Sequence, residues 1–285
     1  MPDIMDRTTL APGPDEPITL DINIATQQTI EKLLQQYGDI IKINNQKNQG
    51  LSYIVTNPDA LKHILISNHS NYIKGPGFER VKMLLGNGII VSDGDFWRRQ
   101  RTMIQPAFSR HNILQLCEMM KVATQNLIPH WKQKAATGEA IDITTEMSEF
   151  ALEVILRALL SEDFDLLVAE HGRNPYDFLT DDATRDLALA MRFRQTGKLI
   201  QKIIDTRREE NLERGDLLGV MMAARDKAGT AMSDKELIDE VMTMIIAGHE
   251  TTGGTLNWLW YEFSQDRKSV VSGGRGGGGG GGGGR

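Results

Sequence analysis

Ala247-Gly248-His249-Glu250-Thr251-Thr252 sets a carboxylic acid beside a hydroxyl, with two nearly featureless residues one helical turn before them. The acid and the hydroxyl would stand beside any ligand that approached the helix there. Ala247 and Gly248 leave the backbone open to a flat one. Thr251 and Thr252 are spaced to turn their hydroxyls back onto the carbonyls of Ala247 and Gly248, a bond that competes with the helical ladder and tends to bend it. Gly248, Gly253 and Gly254 each cost about 1 kcal/mol relative to Ala in a helix interior. Local rules broken in the middle of a core helix mark a functional position. The competing reading is a buried helix whose small residues admit a close neighbour. A zinc protease motif would need a second His four residues after His249, where Gly253 stands.

These residues need a helix to carry them. Leu237, Val241, Met244 and Ile245 recur at the spacing of one helical face, and Ser233 with Glu236 forms a capping box at the start. A second pair with chemical potential, Trp97 and Arg101, lies four residues apart and so on one face of a helix predicted over 95–108, with Asp93 as its cap. Arg98 and Arg99 beside them read either as a docking face for an acidic partner or as a plain solvated face.

Upstream, Met1 to Pro17 is rich in proline and reads as an extended lead. A helix over 25–37 follows, then two β-rich runs over 40–43 and 51–55 that suggest a hairpin. Asn57 caps a helix beginning at Pro58 and running to about Asn68. Residues 70–93 are loop-rich around a helical turn at 80–85, and Phe78, Val81, Leu85 and Ile89 there read as pocket lining or as ordinary core. Further helices are predicted over 111–136, with Pro129 inside, then from Asp142 to Leu160, over 182–194, over 197–212 and over 216–228. Cys117 reads as a small packing residue.

The whole is a mainly α chain with a small β element. It divides into a lead (1–18), a domain (19–265) and a non-native low-complexity tail (266–285) that ends in an unbroken glycine run. The net charge of −6 argues against nucleic-acid binding, and 40% apolar with 25% charged residues is an ordinary globular composition. No apolar run is long enough to span a membrane and no signal peptide is visible, so a cytoplasmic protein with no membrane association is expected. One cysteine excludes an internal disulfide framework.

With Trp97-x-x-x-Arg101 on one helix and Ala247-Gly-x-Glu-Thr-Thr252 on a later one, the chain over about 19–265 resembles the N-terminal part of a cytochrome P450, a haem-thiolate monooxygenase of the soluble bacterial type. The resemblance implies that fold, cut short after the central helix, and haem b as cofactor. Trp97 and Arg101 would bind the haem propionates. Ala247 and Gly248 would line the distal haem face, and Thr251 and Glu250 would form the acid and alcohol pair that delivers protons to bound dioxygen. It also implies a small organic substrate and an electron-donor protein, ferredoxin-like or flavodoxin-like, with its reductase. The family's late cysteine loop and its Glu-x-x-Arg helix do not follow residue 252, so no metal ligand is assigned in this chain. As written, the chain is expected to be inactive alone. The alternative is a non-catalytic helical domain that keeps only a partner-binding face.

Overall fold

The computed structural model describes residues 10–18, 24–45, 50–75, 77–180 and 187–265. The low-complexity tail over 266–285 lies outside them. Chain contacts separate a first unit, ending at Ile73, from a second that begins at Lys74.

In the first unit, α1 (Ile24–Tyr37) buries Leu33 against Ile41 and Ile43 of an antiparallel hairpin, β1 (Ile40–Asn45) and β2 (Gly50–Val55), with Ile41 opposite Ile54. The described part of the lead is not free. Pro12 accepts a hydrogen bond from Lys42 N–H at 2.8 Å, and Ile18 N–H donates to Asn44 at 2.9 Å, so the prolines run along β1 where no ladder donor is needed. Asn57 caps α2 (Pro58–Lys62) by accepting from Ala60 N–H at 2.9 Å. The helix then continues as a π-turn, His63–Ser67.

The second unit is helical: α3 (Phe78–Leu85), α4 (Gly94–Ile104), α5 (Arg110–Thr137), α6 (Ile143–Leu160), α7 (Glu162–His171), α8 (Leu187–Glu209), α9 (Leu217–Ala223) and α10 (Asp234–Gln265). Several expectations change here. Asp93 occupies the cap position of α4 without a side-chain bond to the helix; its carboxylate accepts instead from Lys74 N–H at 3.3 Å. Pro129 does not interrupt α5, which ends at Gly138 with φ of 72°. The polar stretch after Ser161 contains α7, which its mixed composition hid. The two helices expected on either side of residue 196 are one, α8, described from Leu187, the first residues of the expected 182–194 helix lying outside the described ones; Gly197 lies inside it, where a Cβ would be in ordinary contact with Ile238 of α10 at 3.6 Å. Cys117 is exposed on α5, not a packing residue.

One apolar core joins α6, α8, α9 and α10 through Leu152, Leu156, Ile200, Ile204, Leu218 and Val241. Within it lies a buried cation. The Arg207 side chain, 1% exposed, donates Nε–H to Asp163 at 2.6 Å and grips both oxygens of Asp216 at 2.8 and 2.7 Å. A guanidinium's planar fork matches a carboxylate in two bonds, which an ammonium does not reproduce. The same Asp216 caps α9 by accepting from Gly219 N–H at 2.8 Å, so a single residue ties α8 to the start of α9. Removing the cation leaves Asp216 buried with no ionic partner and Asp163 with Arg214 alone, at 3.6 Å. Arg207→Ala is therefore expected to lower stability by about 3–5 kcal/mol in urea denaturation, and a loss under about 1 kcal/mol would show that the network contributes little.

Candidate functional site

α10 begins as its sequence dictates. Ser233 N–H donates to Glu236 Oε2 at 2.7 Å and Glu236 N–H to Ser233 Oγ at 3.3 Å, the reciprocal capping box. The helix then runs without a break to Gln265. Thr251 Oγ1 does donate to the Ala247 carbonyl, at 2.6 Å. Thr252 makes no such bond to Gly248; the second back-bonded hydroxyl is that of Thr255, to Thr251 at 2.8 Å.

The glycines divide by face. A Cβ on Gly248 would lie 2.8 Å from Ile155 of α6, and one on Gly253 would lie 3.4 Å from the Ser148 backbone, whereas Gly254 has open space around it. Between the two packed glycines, His249 is buried and shares a 2.8 Å hydrogen bond with Ser148 Oγ. Burial holds its imidazole below the ordinary histidine pKa, so the neutral form is the one that packs. α10 is thus pressed against α6 through Gly248, His249 and Gly253. The close-neighbour reading of these small residues holds for Gly248 and Gly253. His249 was not singled out from the sequence, because only the fold shows that it faces α6.

The other side of α10 carries the remaining motif. At about 100° per residue, Ala247 and Thr251 lie about 40° apart on one face, with Gly254 continuing it. Glu250, Thr251 and Gly254 are exposed, and Ala247 is half-buried. Of the two small residues it is therefore Ala247 that shares the face of Thr251. Beyond them Trp258, Leu259 and Tyr261 are exposed at 69%, 44% and 54%, an apolar stretch too large to be scattered surface.

On α4, Trp97 is half-buried and Arg101 exposed, with the guanidinium carbon 5.5 Å from the indole centroid. The shared face expected from their spacing is present. Arg99 is not available to a partner: it donates to Asp226 at 2.7 Å, Glu236 at 2.8 Å and the Ala231 carbonyl at 3.0 Å, tying α4 to the start of α10. Arg98 reaches the surface and pairs with Asp95 at 2.6 Å. In the loop region Leu85 belongs to the core, Val81 and Ile89 pack against it, and Phe78 is 39% exposed. Among the described residues no cluster of three or more His, Cys, Asp or Glu is placed to hold a metal.

The cytochrome P450 family model matches residues 20–184 and 173–269, which together take in most of the chain. The chain belongs to the cytochrome P450 family. Its curated relatives include cyclooctatin synthase of Streptomyces melanosporofaciens, 29% identical across 90% of this chain and 58% of that protein. Pentalenene oxygenase of Streptomyces avermitilis is 26% identical across 81% of this chain and 54% of its own length. The fold agrees. A cytochrome P450DA haem domain superposes with a TM-score of 0.70 at 22% identity, covering 92% of this chain and 62% of that one. A retinoic acid-bound cyanobacterial CYP120A1 does so with a TM-score of 0.67 at 18% identity, covering 90% and 60%. The chain thus spans rather more than half the length of the P450 proteins it matches. Haem b is the cofactor of the family.

The two faces of α10 predict opposite responses to adding one methyl group. Gly254→Ala, on the open face, should stabilise the chain by about 0.5–1 kcal/mol through helix propensity. Gly248→Ala gains the same propensity but displaces Ile155, which costs about 1–3 kcal/mol, so a net loss is expected. Thermal or urea unfolding of the two variants decides the matter; equal stabilisation by both would contradict the close approach of α10 to α6.

Proposed function

We propose that this P450 chain is the oxygen-facing part of a haem-dependent monooxygenase that inserts one atom of dioxygen into a small apolar organic substrate. The observation that carries the reading is the open face of α10, where the Thr251 hydroxyl, held 2.6 Å from the Ala247 carbonyl, stands beside an exposed carboxylic acid.

The donor set suits the group the family binds. A flat ligand meets only a methyl group at Ala247, with Gly248 behind it against α6, so the backbone face is accessible. The Trp97 indole N–H and the Arg101 guanidinium are donors matched to a pair of carboxylates, and Arg101 forms no ion pair among the described residues. When bound, haem b supplies an iron centre able to activate dioxygen. The chain's own part is proton handling. Thr251 commits its hydroxyl hydrogen to Ala247, which leaves the oxygen lone pairs outward as acceptors. Glu250, adjacent and exposed, exchanges protons with water and relays them past Thr251.

No residue here is assigned as an iron ligand. The single cysteine, Cys117, lies exposed on α5, and we propose that the 285 residues by themselves do not form a haem-thiolate centre. Electrons would come from a separate ferredoxin-like or flavodoxin-like protein with its reductase, meeting a face that includes Arg98 but not Arg99. Among the described residues no helix is long and apolar enough to cross a membrane, which supports the proposed cytoplasmic location. The proposed substrate class is supported by relatives such as pentalenene oxygenase and by the apolar Val81 and Ile89 packed against the core. The alternative is a non-catalytic helical domain that keeps only a partner-binding face, and Arg99, consumed internally, is not available to such a face.

The test compares this chain, reconstituted with haem, with a chimera in which the cysteine-bearing region of a full-length family member follows Gln265. The carbon monoxide difference spectrum should show the thiolate band in the chimera and not in the chain alone. Arg101→Leu in the chimera should weaken haem retention at least tenfold, since a hydrogen bond to a charged group contributes about 1.5–3 kcal/mol. A band from the chain alone, or haem retention indifferent to Arg101→Leu, would refute the respective assignment.

A further inference from the structure

Three turns before Thr251, a group of buried polar atoms gathers where the loop between α3 and α4 crosses α10. Glu240 is 0% exposed. Its Oε2 accepts from Ile89 N–H at 2.9 Å, while Oε1 has no partner among the described residues. Beside it Asn87 N–H donates to Asp239 Oδ2 at 2.8 Å, and Gly88 lies so near Thr243 that any Cβ would strike its hydroxyl. The Lys74 ammonium donates to the Ile89 carbonyl at 3.1 Å and to the Ser92 carbonyl. Asn87 Oδ1, Ser92 Oγ and Thr243 Oγ1 are also buried without partners among the described residues. Polar groups buried in this way are desolvated, which opposes the contact. Glu240 and Thr251 are eleven residues apart, about 20° around the helix, and thus on one face about 16 Å apart.

We propose that Glu240 is a protonation-controlled latch: uncharged, it holds residues 86–92 against α10, and ionised, it releases them, opening the face of α10 that leads to Thr251. The latch stands on these contacts alone; only its consequence for access to Thr251 rests on the haem reading.

The charges around Glu240 favour its uncharged form. On α10, Asp239 and Glu236 repel its ionised form, although Lys235 pairs with the first at 2.8 Å and Arg99 with the second at 2.8 Å. From the segment before α3, Lys74 attracts it, but that ammonium is itself disfavoured by burial and shared with Asp93. Burial is the largest influence, and with the carboxylates it pushes the Glu240 acid up to about 7 against the pull of Ile89 N–H and Lys74. The sign follows. With the closed-loop value above the ordinary one, the contact is firmest at low pH and is lost as pH rises through about 7. A group at 4.5 when exposed and about 7 when latched makes opening roughly tenfold easier at pH 8 than at pH 6.

Amide hydrogen exchange on the full chain, with no cofactor added, reads the latch directly. The protection factor of Ile89, corrected for intrinsic exchange, should fall roughly tenfold from pH 6 to pH 8, while Leu152 and Leu156 in α6 hold theirs. Glu240→Gln should make the Ile89 profile flat. Lys74→Met, which removes the facing cation, should move the release to higher pH, and it provides a second test if Glu240→Gln does not fold. A flat profile in the parent chain, a drop that survives Glu240→Gln, or a release that stays in place in Lys74→Met overturns the proposal. None of these readouts depends on haem, so the latch and the monooxygenase reading fail separately.

Discussion

The close approach of α10 to α6 is the constraint on which the rest depends. Two helices whose backbones nearly touch must present residues without side chains at the contact, and Gly248 and Gly253 do so against Ile155 and Ser148. A helix pressed this tightly has no rotational freedom left. The hydrogen bond between His249 and Ser148 selects one setting of that rotation, because a neutral buried imidazole turned elsewhere would lose its partner. Once one side of α10 is committed to α6, Ala247, Thr251 and Gly254 have to face the other way. The chemistry proposed for that face is thus a consequence of packing on the opposite one.

Buried charges hold the surrounding helices to the same frame. Arg207 joins α8 to α7 through Asp163 and to the start of α9 through Asp216, and Arg99 joins α4 to the start of α10 through Glu236. On the α5 side, Glu146 accepts from Trp131, His130 and Lys134, and those donors hold its acid below the usual carboxylate range despite burial. The Arg99 network links helices distant in sequence and the Glu146 network links the consecutive α5 and α6, each through a group that would be unstable there alone. The geometry of the open face therefore rests on long-range polar pairs as much as on the apolar core.

Some of this was legible before any coordinates. Caps are local, so the starts of α2, α6, α9 and α10 follow from Asn57, Asp142, Asp216 and Ser233, whose side chains bond amides two or three residues ahead. Trp97 and Arg101 share a face because a helix of any environment places residues four apart together. Other features depended on neighbours. Asp93 fits the pattern of a cap and yet bonds Lys74. Gly197 reads as a break and lies mid-helix, in a stretch of α8 that packs beside Ile238 of α10.

The sequence by itself determined the family, the helical character, the small hairpin and the motif that sets Glu250 beside Thr251, since each is encoded in residues within one or two turns of one another. Tertiary structure alone decided which glycines serve packing and which leave a surface open. It also decided that His249 and Arg99 are structural, and that Glu240 is buried against Ile89 about 150 residues away in the chain. Local spacing specifies the direction in which a side chain leaves its helix; what it meets is set by segments that no short-range pattern describes.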